Sequence, residues 1–257
     1  PGPLRFLALS AAVIGFPAHS ANFQLSADVP LRLVSGGFDV SAPDHAWLLD
    51  DGTRVTHQVA LPQIPIAANL DALDLRADDS ALFSLDTTGV IGGVFAEDTD
   101  VVSCRFGSCA IVFDASVAGV PNSLDLDAVA TRNGRLLLSF DKGFNHGVLG
   151  YIAANDAVEF DGAAFTVIAF DASAEGVSAN ANLDALNSSS DGHLQLSFER
   201  TLTLSGVVAF DHDVIDFNPT THVYAIARAL GTENAAWWRA DLDAIAGASI
   251  ATADRTF

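Results

Sequence analysis

The chain has 257 residues, half of them hydrophobic, which is enough to bury a full core and too apolar for a disordered chain. It carries 32 acids against 12 bases, a net charge of −20, and Lys142 is its only lysine. A field of that sign repels nucleic acid and anionic membrane surfaces and attracts cations. Most of the acids are Asp, a residue that suits both turns and hard, oxygen-seeking divalent ions.

Leu4 to Phe16 is an apolar run with an early positive charge at Arg5, followed by small residues at Ala18 and Ser20. Residues 1–21 therefore read as a secretory signal peptide, too short for a membrane span. The alternative is that they are retained as an extra strand. The remaining chain is expected to form one domain over 22–248, with a tail over 249–257, and to work as a secreted, periplasmic or cell-surface protein.

That domain is built from four copies of a repeat of roughly 57 residues. The first copy, about 22–66, carries Ser26-Ala27-Asp28, Gly37 and Asp44. The second, 67–122, opens with Leu70-Asp71-Ala72-Leu73 and continues through Ser84-Leu85-Asp86, Gly93 and Asp100. The third, 123–179, has Leu126-Asp127-Ala128-Val129, Ser139-Phe140-Asp141, Gly150 and Asp156. The fourth, 180–237, has Leu183-Asp184-Ala185-Leu186, Ser197-Phe198-Glu199, Gly206 and Asp213. Leu242-Asp243-Ala244-Ile245 then stands alone near the C-terminus.

Each copy reads as four short strands. In the third they are Leu126–Val129, Arg135–Phe140, Ala157–Phe160 and Phe165–Phe170, separated by Arg132-Asn133-Gly134, Asn155-Asp156 and Asp161-Gly162, all good turn formers. No window shows a helical period. Four antiparallel strands repeated radially predict an all-β, four-bladed β-propeller. The first copy lacks the Leu-Asp-Ala strand, and the C-terminus holds a surplus one over 238–248. A composite blade, with its first strand supplied from the C-terminal end, would close the ring and leave no edge between the termini.

Four blades whose first strand carries an Asp-Ala pair, followed by a glycine-bearing turn and an apolar strand, resemble hemopexin-like propellers over about residues 22–246. The repeats also resemble Asp-rich tandem repeats of secreted bacterial proteins of unknown function. The chain departs from the hemopexin pattern in its longer repeat, its lack of an aromatic-rich third strand, and cysteines that cannot join the first and last blades. The hemopexin resemblance implies a central channel in which the Asp-Ala strands bind ions. Asp71, Asp127, Asp184 and Asp243 would then ring the axis as calcium ligands, waters completing the shell. The structural alternative is that each aspartate bonds backbone amides and fixes packing.

Asp98-Thr99-Asp100 and Asp211-His212-Asp213 are weaker metal candidates, since they lack the ligand ladder of a calcium loop, and a turn-capping aspartate also explains them. Cys104 and Cys109, with four residues between them including Gly107, predict a disulfide across a tight hairpin. The seven histidines occupy no shared repeat position; His212, beside Asp211 and Asp213, is expected on the solvated surface, the alternative being a transition-metal ligand. No Gly-x-Ser-x-Gly elbow occurs. Trp237-Trp238 breaks the repeat symmetry; read as strand neighbours, one would be core and one exposed, available to stack on a sugar or to cover the closing seam. The expected function is a non-enzymatic binding or structural module that takes calcium, with an extracellular glycan or protein as partner. The alternatives are a carbohydrate-active or other hydrolytic enzyme using aspartates on one face, and a subunit of an extracellular assembly or filament.

Overall fold

The structure, a computed structural model, describes residues 23–28, 31–35, 38–42, 48–50, 55–57, 64, 68–233 and 235–247. The expected signal peptide and tail lie outside them, as does Asp44. Among the described residues nearly all of the regular secondary structure is β-strand.

The first copy gives β1 (Phe23–Ser26), β2 (Leu31–Ser35), β3 (Phe38–Ala42), β4 (Leu48–Asp50) and β5 (Val55–His57). The second gives β6 (Ala72–Leu75), β7 (Ala81–Ser84), β8 (Gly89–Ile91), β9 (Val94–Ala96), β10 (Val101–Arg105) and β11 (Ser108–Phe113). In the third are β12 (Leu126–Arg132), β13 (Arg135–Phe140), β14 (Phe144–His146), β15 (Gly150–Ile152), β16 (Ala157–Phe160) and β17 (Phe165–Phe170). The fourth holds β18 (Leu183–Ser188), β19 (Leu194–Phe198), β20 (Leu202–Leu204), β21 (Val207–Ala209), β22 (Asp213–Asn218) and β23 (Val223–Ala229), and β24 (Ala244–Gly247) ends the described chain.

These strands form repeated four-stranded antiparallel sheets, consistent with propeller blades: β6-β7-β10-β11, β12-β13-β16-β17, β18-β19-β22-β23 and β24-β1-β4-β5. In the last sheet the C-terminal strand pairs with the N-terminal one, Leu25 opposite Ile245 and Ser26 opposite Ala244. The first strands pack on one another, β6 against both β12 and β24, and β18 against the same two.

The four-strand reading of a repeat was incomplete. A two-stranded hairpin, β2-β3, β8-β9, β14-β15 or β20-β21, stands between the second and third strands of every sheet. Its strands are only three residues long in the second to fourth copies, too short to stand out as a period-2 pattern. In the second to fourth copies the repeated glycine belongs to this hairpin; Gly37 lies outside the described residues. Gly93 and Gly206 both sit at φ +88°, a left-handed conformation that costs a residue with a Cβ.

Two one-turn helices, α1 (Ala115–Ala118) and α2 (Leu230–Glu233), and a 3₁₀ turn over Ala235–Arg239 fall between strands. Four residues cannot display a helical period. Capping defines α1 instead: the Asp114 side chain accepts from the Val117 amide, and Gly119 follows at φ +81°.

The core lies between neighbouring sheets. Phe113 from β11 meets Phe160 edge-on at 5.0 Å and Phe165 at 5.8 Å, joining the second copy to the third. Phe170 of β17 meets Phe217 of β22 at 5.2 Å, joining the third to the fourth. Such rings each bury on the order of 150 Å² or more and gain further from edge-to-face geometry. The disulfide forms as expected: Cys104 and Cys109 are directly paired across β10-β11, with Cα atoms 4.1 Å apart, and Phe106-Gly107 turn between them with positive φ. Among the described residues no helix is long and apolar enough to cross a membrane.

Candidate functional site

The recurring landmarks divide into those that build the sheets and those that meet at a cavity. The serine of each Ser-x-acid unit is buried, and in the second to fourth copies its hydroxyl spans the sheet, whereas Ser26 Oγ has no hydrogen-bond partner. Ser84 Oγ donates to the Asp98 carbonyl at 2.7 Å, Ser139 Oγ to that of Asp156 at 2.9 Å, and Ser197 Oγ to that of Asp213 at 3.1 Å. The acid fixes the entry to a first strand. Asp86 accepts from the Asn69 amide at 2.9 Å, Asp141 from Asp125 at 2.8 Å, and Asp28 from Asp241 at 2.8 Å.

The aspartate before the third strand is a clamp. Asp100 accepts from the amides of Glu97 and Ala115, both at 3.0 Å. Asp156 does the same for Ala153 and Ala172 at 2.9 Å, and Asp213 holds Phe210 N at 3.0 Å. Each clamp ties the turn ahead of the third strand to the chain just past the end of the fourth, Asp213 through the Leu230 amide. The Asp98 carboxylate accepts from Thr99 Oγ1 at 3.3 Å, and Asp211 meets His212 Nδ1 at 2.8 Å. In both weaker candidate loops the second aspartate is thus engaged with backbone amides.

Asp71, Asp127, Asp184 and Asp243 are the ones brought together. They line a single cavity of about 80 Å³ along with Asn182. Local backbone geometry aims them there. Asp127 and Asp184 are the unpaired residues of β-bulges, because the register steps from Leu126 to Ala128 and from Leu183 to Ala185. A bulge turns one side chain out of the strand's alternation. Asp71 and Asp243 stand one residue ahead of β6 and β24. The alanines that follow, Ala72, Ala128, Ala185 and Ala244, are buried.

Two asparagines missed by sequence reasoning complete the arrangement. Asn69 Nδ2 donates to Asp243 at 2.8 Å and to Asp71 at 3.3 Å. Asn182 Nδ2 donates to Asp127, and to Asp184 at 3.3 Å. The positions equivalent to these asparagines are Asp125 and Asp241, each folded onto the next backbone amide, Leu126 N and Leu242 N, at 2.9 Å. The signal was available in the sequence: extending the tetrad by one residue gives Asn, Asp, Asn, Asp in chain order.

The electrostatics of the cavity are unbalanced. Burial, followed by repulsion from Asp125 and Asp243, pushes the Asp71 carboxyl up to about 9. Burial, then Asp241 and Asp127, pushes Asp184 up to about 10. Asp127 and Asp243 rise to about 7, again through burial first, with the asparagine hydrogen bonds pulling the other way. Asp125 and Asp241 also rise to about 7. Three buried oxygens here, Asp184 Oδ2, Asn69 Oδ1 and Asn182 Oδ1, have no hydrogen-bond partner.

Unpartnered buried oxygens on a carboxylate-lined cavity fit a hard cation, which takes oxygen ligands and relieves the cost of burying charge. Among the described residues no group of three or more His, Cys, Asp or Glu is arranged to hold a metal ion directly. The carboxylates surround a space instead.

The tryptophan pair differs from its strand reading. Trp238 lies in the 3₁₀ turn Ala235–Arg239, so the two do not face opposite sides of a strand. The Trp237 side chain lies outside the described residues. Trp238 is 54% exposed, donates from Nε1 to the Gly231 carbonyl at 2.9 Å, and packs edge-on against Phe210 and His212 at 5.0 and 4.9 Å. His212, expected on the surface, is 2% exposed and stacked parallel to Phe210. The aromatic pair buries it, and sequence gives no sign of the chain's return over that loop.

No protein-family model matches the chain, and no curated protein aligns with it. Solved structures similar to it include the extracellular domain of BT4673 from B. thetaiotaomicron, at 10% identity and TM-score 0.33, covering 80% of this chain and 23% of that one. YCF48 from Cyanidioschyzon merolae aligns at 9% identity and TM-score 0.35, over 83% of this chain and 58% of that one. A catalytically inactive virginiamycin B lyase from Staphylococcus aureus aligns at 9% identity and TM-score 0.33, over 81% and 70%. The chain spans less than two thirds of the first two, and the architecture above rests on its own strand pairing.

Proposed function

We propose that this chain is a non-enzymatic extracellular binding or structural module, a four-bladed propeller closed by its composite sheet, that takes a cation, calcium first, in an acidic central channel. The carrying observation is the convergence of four repeat-equivalent aspartates from four sheets on one cavity with unpartnered buried oxygens. Ring closure is supported by the pairing of β24 with β1 and by the packing of each first strand on two others. An extracellular setting is supported by the disulfide, which belongs to oxidising compartments.

Calcium would supply the positive charge that the aspartates lack. Asp71, Asp127, Asp184 and Asp243 would hold it, in part through water, while Asn69 and Asn182 keep neighbouring carboxyls in register. The test is elemental analysis of the purified protein, followed by thermal unfolding after exhaustive chelation with and without added calcium. Bound calcium near stoichiometry, and a midpoint raised by its return, support the reading through linkage. No metal and no shift would remove calcium from it.

A further inference from the structure

A positive charge stands beside the hydrogen-bonded support of one cavity aspartate. Lys142, the only lysine of the chain, follows Asp141 directly, and its ammonium pairs with Asp141 Oδ2. Asp141 in turn accepts from the Asp125 amide at 2.8 Å, and Asp125 stands two residues before cavity-lining Asp127. Lys142 therefore sits on the support of the third sheet's channel aspartate. Its charge acts on Asp125 and Asp127, and its side chain is 65% exposed. At the same repeat position the fourth sheet has Arg200, paired with Glu199, whereas Asp28 and Asp86 are followed by uncharged Val29 and Thr87.

We propose that Lys142 is the channel's built-in counter-charge, steadying the ion-free carboxylates and competing with a bound cation for them. This rests on the cation reading above and adds to it a residue that sets affinity. The physical basis is simple: one fixed positive charge lowers the local negative potential, which is the source of both the repulsion within the ring and the attraction for an ion. Because the ammonium is exposed, salt screens its effect.

The experiment compares the wild-type chain, Lys142→Gln and Lys142→Arg. Calcium binding to chelated protein is followed by titration calorimetry at low ionic strength and at about 0.5 M salt, with the thermal midpoint in chelator measured in parallel. The expected result is calcium affinity about two- to five-fold higher for Lys142→Gln at low salt, fading at high salt, together with a lower midpoint in chelator at pH 8. Lys142→Arg should match wild type in both, which a merely structural role for the lysine stem would not produce. Equal or weaker calcium binding by Lys142→Gln overturns the proposal while leaving the channel reading in place. If no variant binds calcium, the channel reading fails, and the midpoints in chelator decide the counter-charge by themselves: an unchanged Lys142→Gln midpoint overturns it.

Discussion

Replacing Asp184 with Asn should stabilise the ion-free protein at neutral pH and remove most of its response to calcium. The carboxyl is pushed up to about 10 from an ordinary 3.8, chiefly by burial. A group with a raised folded value contributes stability that is complete below its unfolded value and is lost as pH rises toward the folded one. Between pH 4 and pH 7 the wild-type chain therefore gives up stability at this residue, at about 1.4 kcal/mol per unit. The coupled ring shares the repulsion with Asp241, Asp127 and Asp243, so the part recovered by Asp184→Asn is about 2 kcal/mol at pH 7. The amide retains the size of the carboxyl and loses its titration. In a domain of this size the gain corresponds to about 5 °C in midpoint. Thermal or urea unfolding in chelator at pH 4, 7 and 9 reads the effect directly. The difference between variant and wild type should be near zero at pH 4 and grow with pH. A wild-type stability flat from pH 4 to 9, or an Asp184→Asn variant destabilised at pH 7, would refute a charge-strained ring.

Two further changes test the scaffold apart from the aspartate-lined cavity. Asp156→Ala removes the acceptor for the Ala153 and Ala172 amides and should cost about 2 to 4 kcal/mol, seen as a lower urea midpoint with any calcium shift preserved. Gly231→Ala places a Cβ 2.3 Å from His212 Nε2 and 3.0 Å from the Trp238 ring, so it should destabilise the protein by about 1 to 3 kcal/mol and alter tryptophan fluorescence. Unchanged emission and stability would mean that the His212–Trp238 contact does not hold.

The sequence by itself determined the repeated unit and much of its meaning. Period and turn chemistry located the four sheet strands of the third copy to within a few residues, because β-strands bounded by Asn-Gly and Asp-Gly turns leave a local signature. The surplus Leu242-Asp243-Ala244-Ile245 and the missing first strand of the N-terminal copy pointed to the pairing of β24 with β1, since a missing piece and a spare one are visible in any linear reading. The Cys104–Cys109 bridge followed from its spacing, the intervening Gly107 and the expected secretion.

Tertiary structure decided the rest. That Asp71, Asp127, Asp184 and Asp243 share a cavity, whereas Asp100, Asp156 and Asp213 clamp backbone amides, could not be read from equally regular spacing. Side-chain direction depends on bulges at Asp127 and Asp184 that interrupt strand alternation. Asn69 and Asn182 matter because they reach a carboxyl on another strand, Asp243 and Asp127, 174 and 55 residues away. The burial of His212 likewise depends on Gly231 and Trp238 returning over it from later in the chain. Local patterns record what the backbone does over a few residues, while desolvation and charge depend on which distant segments pack together.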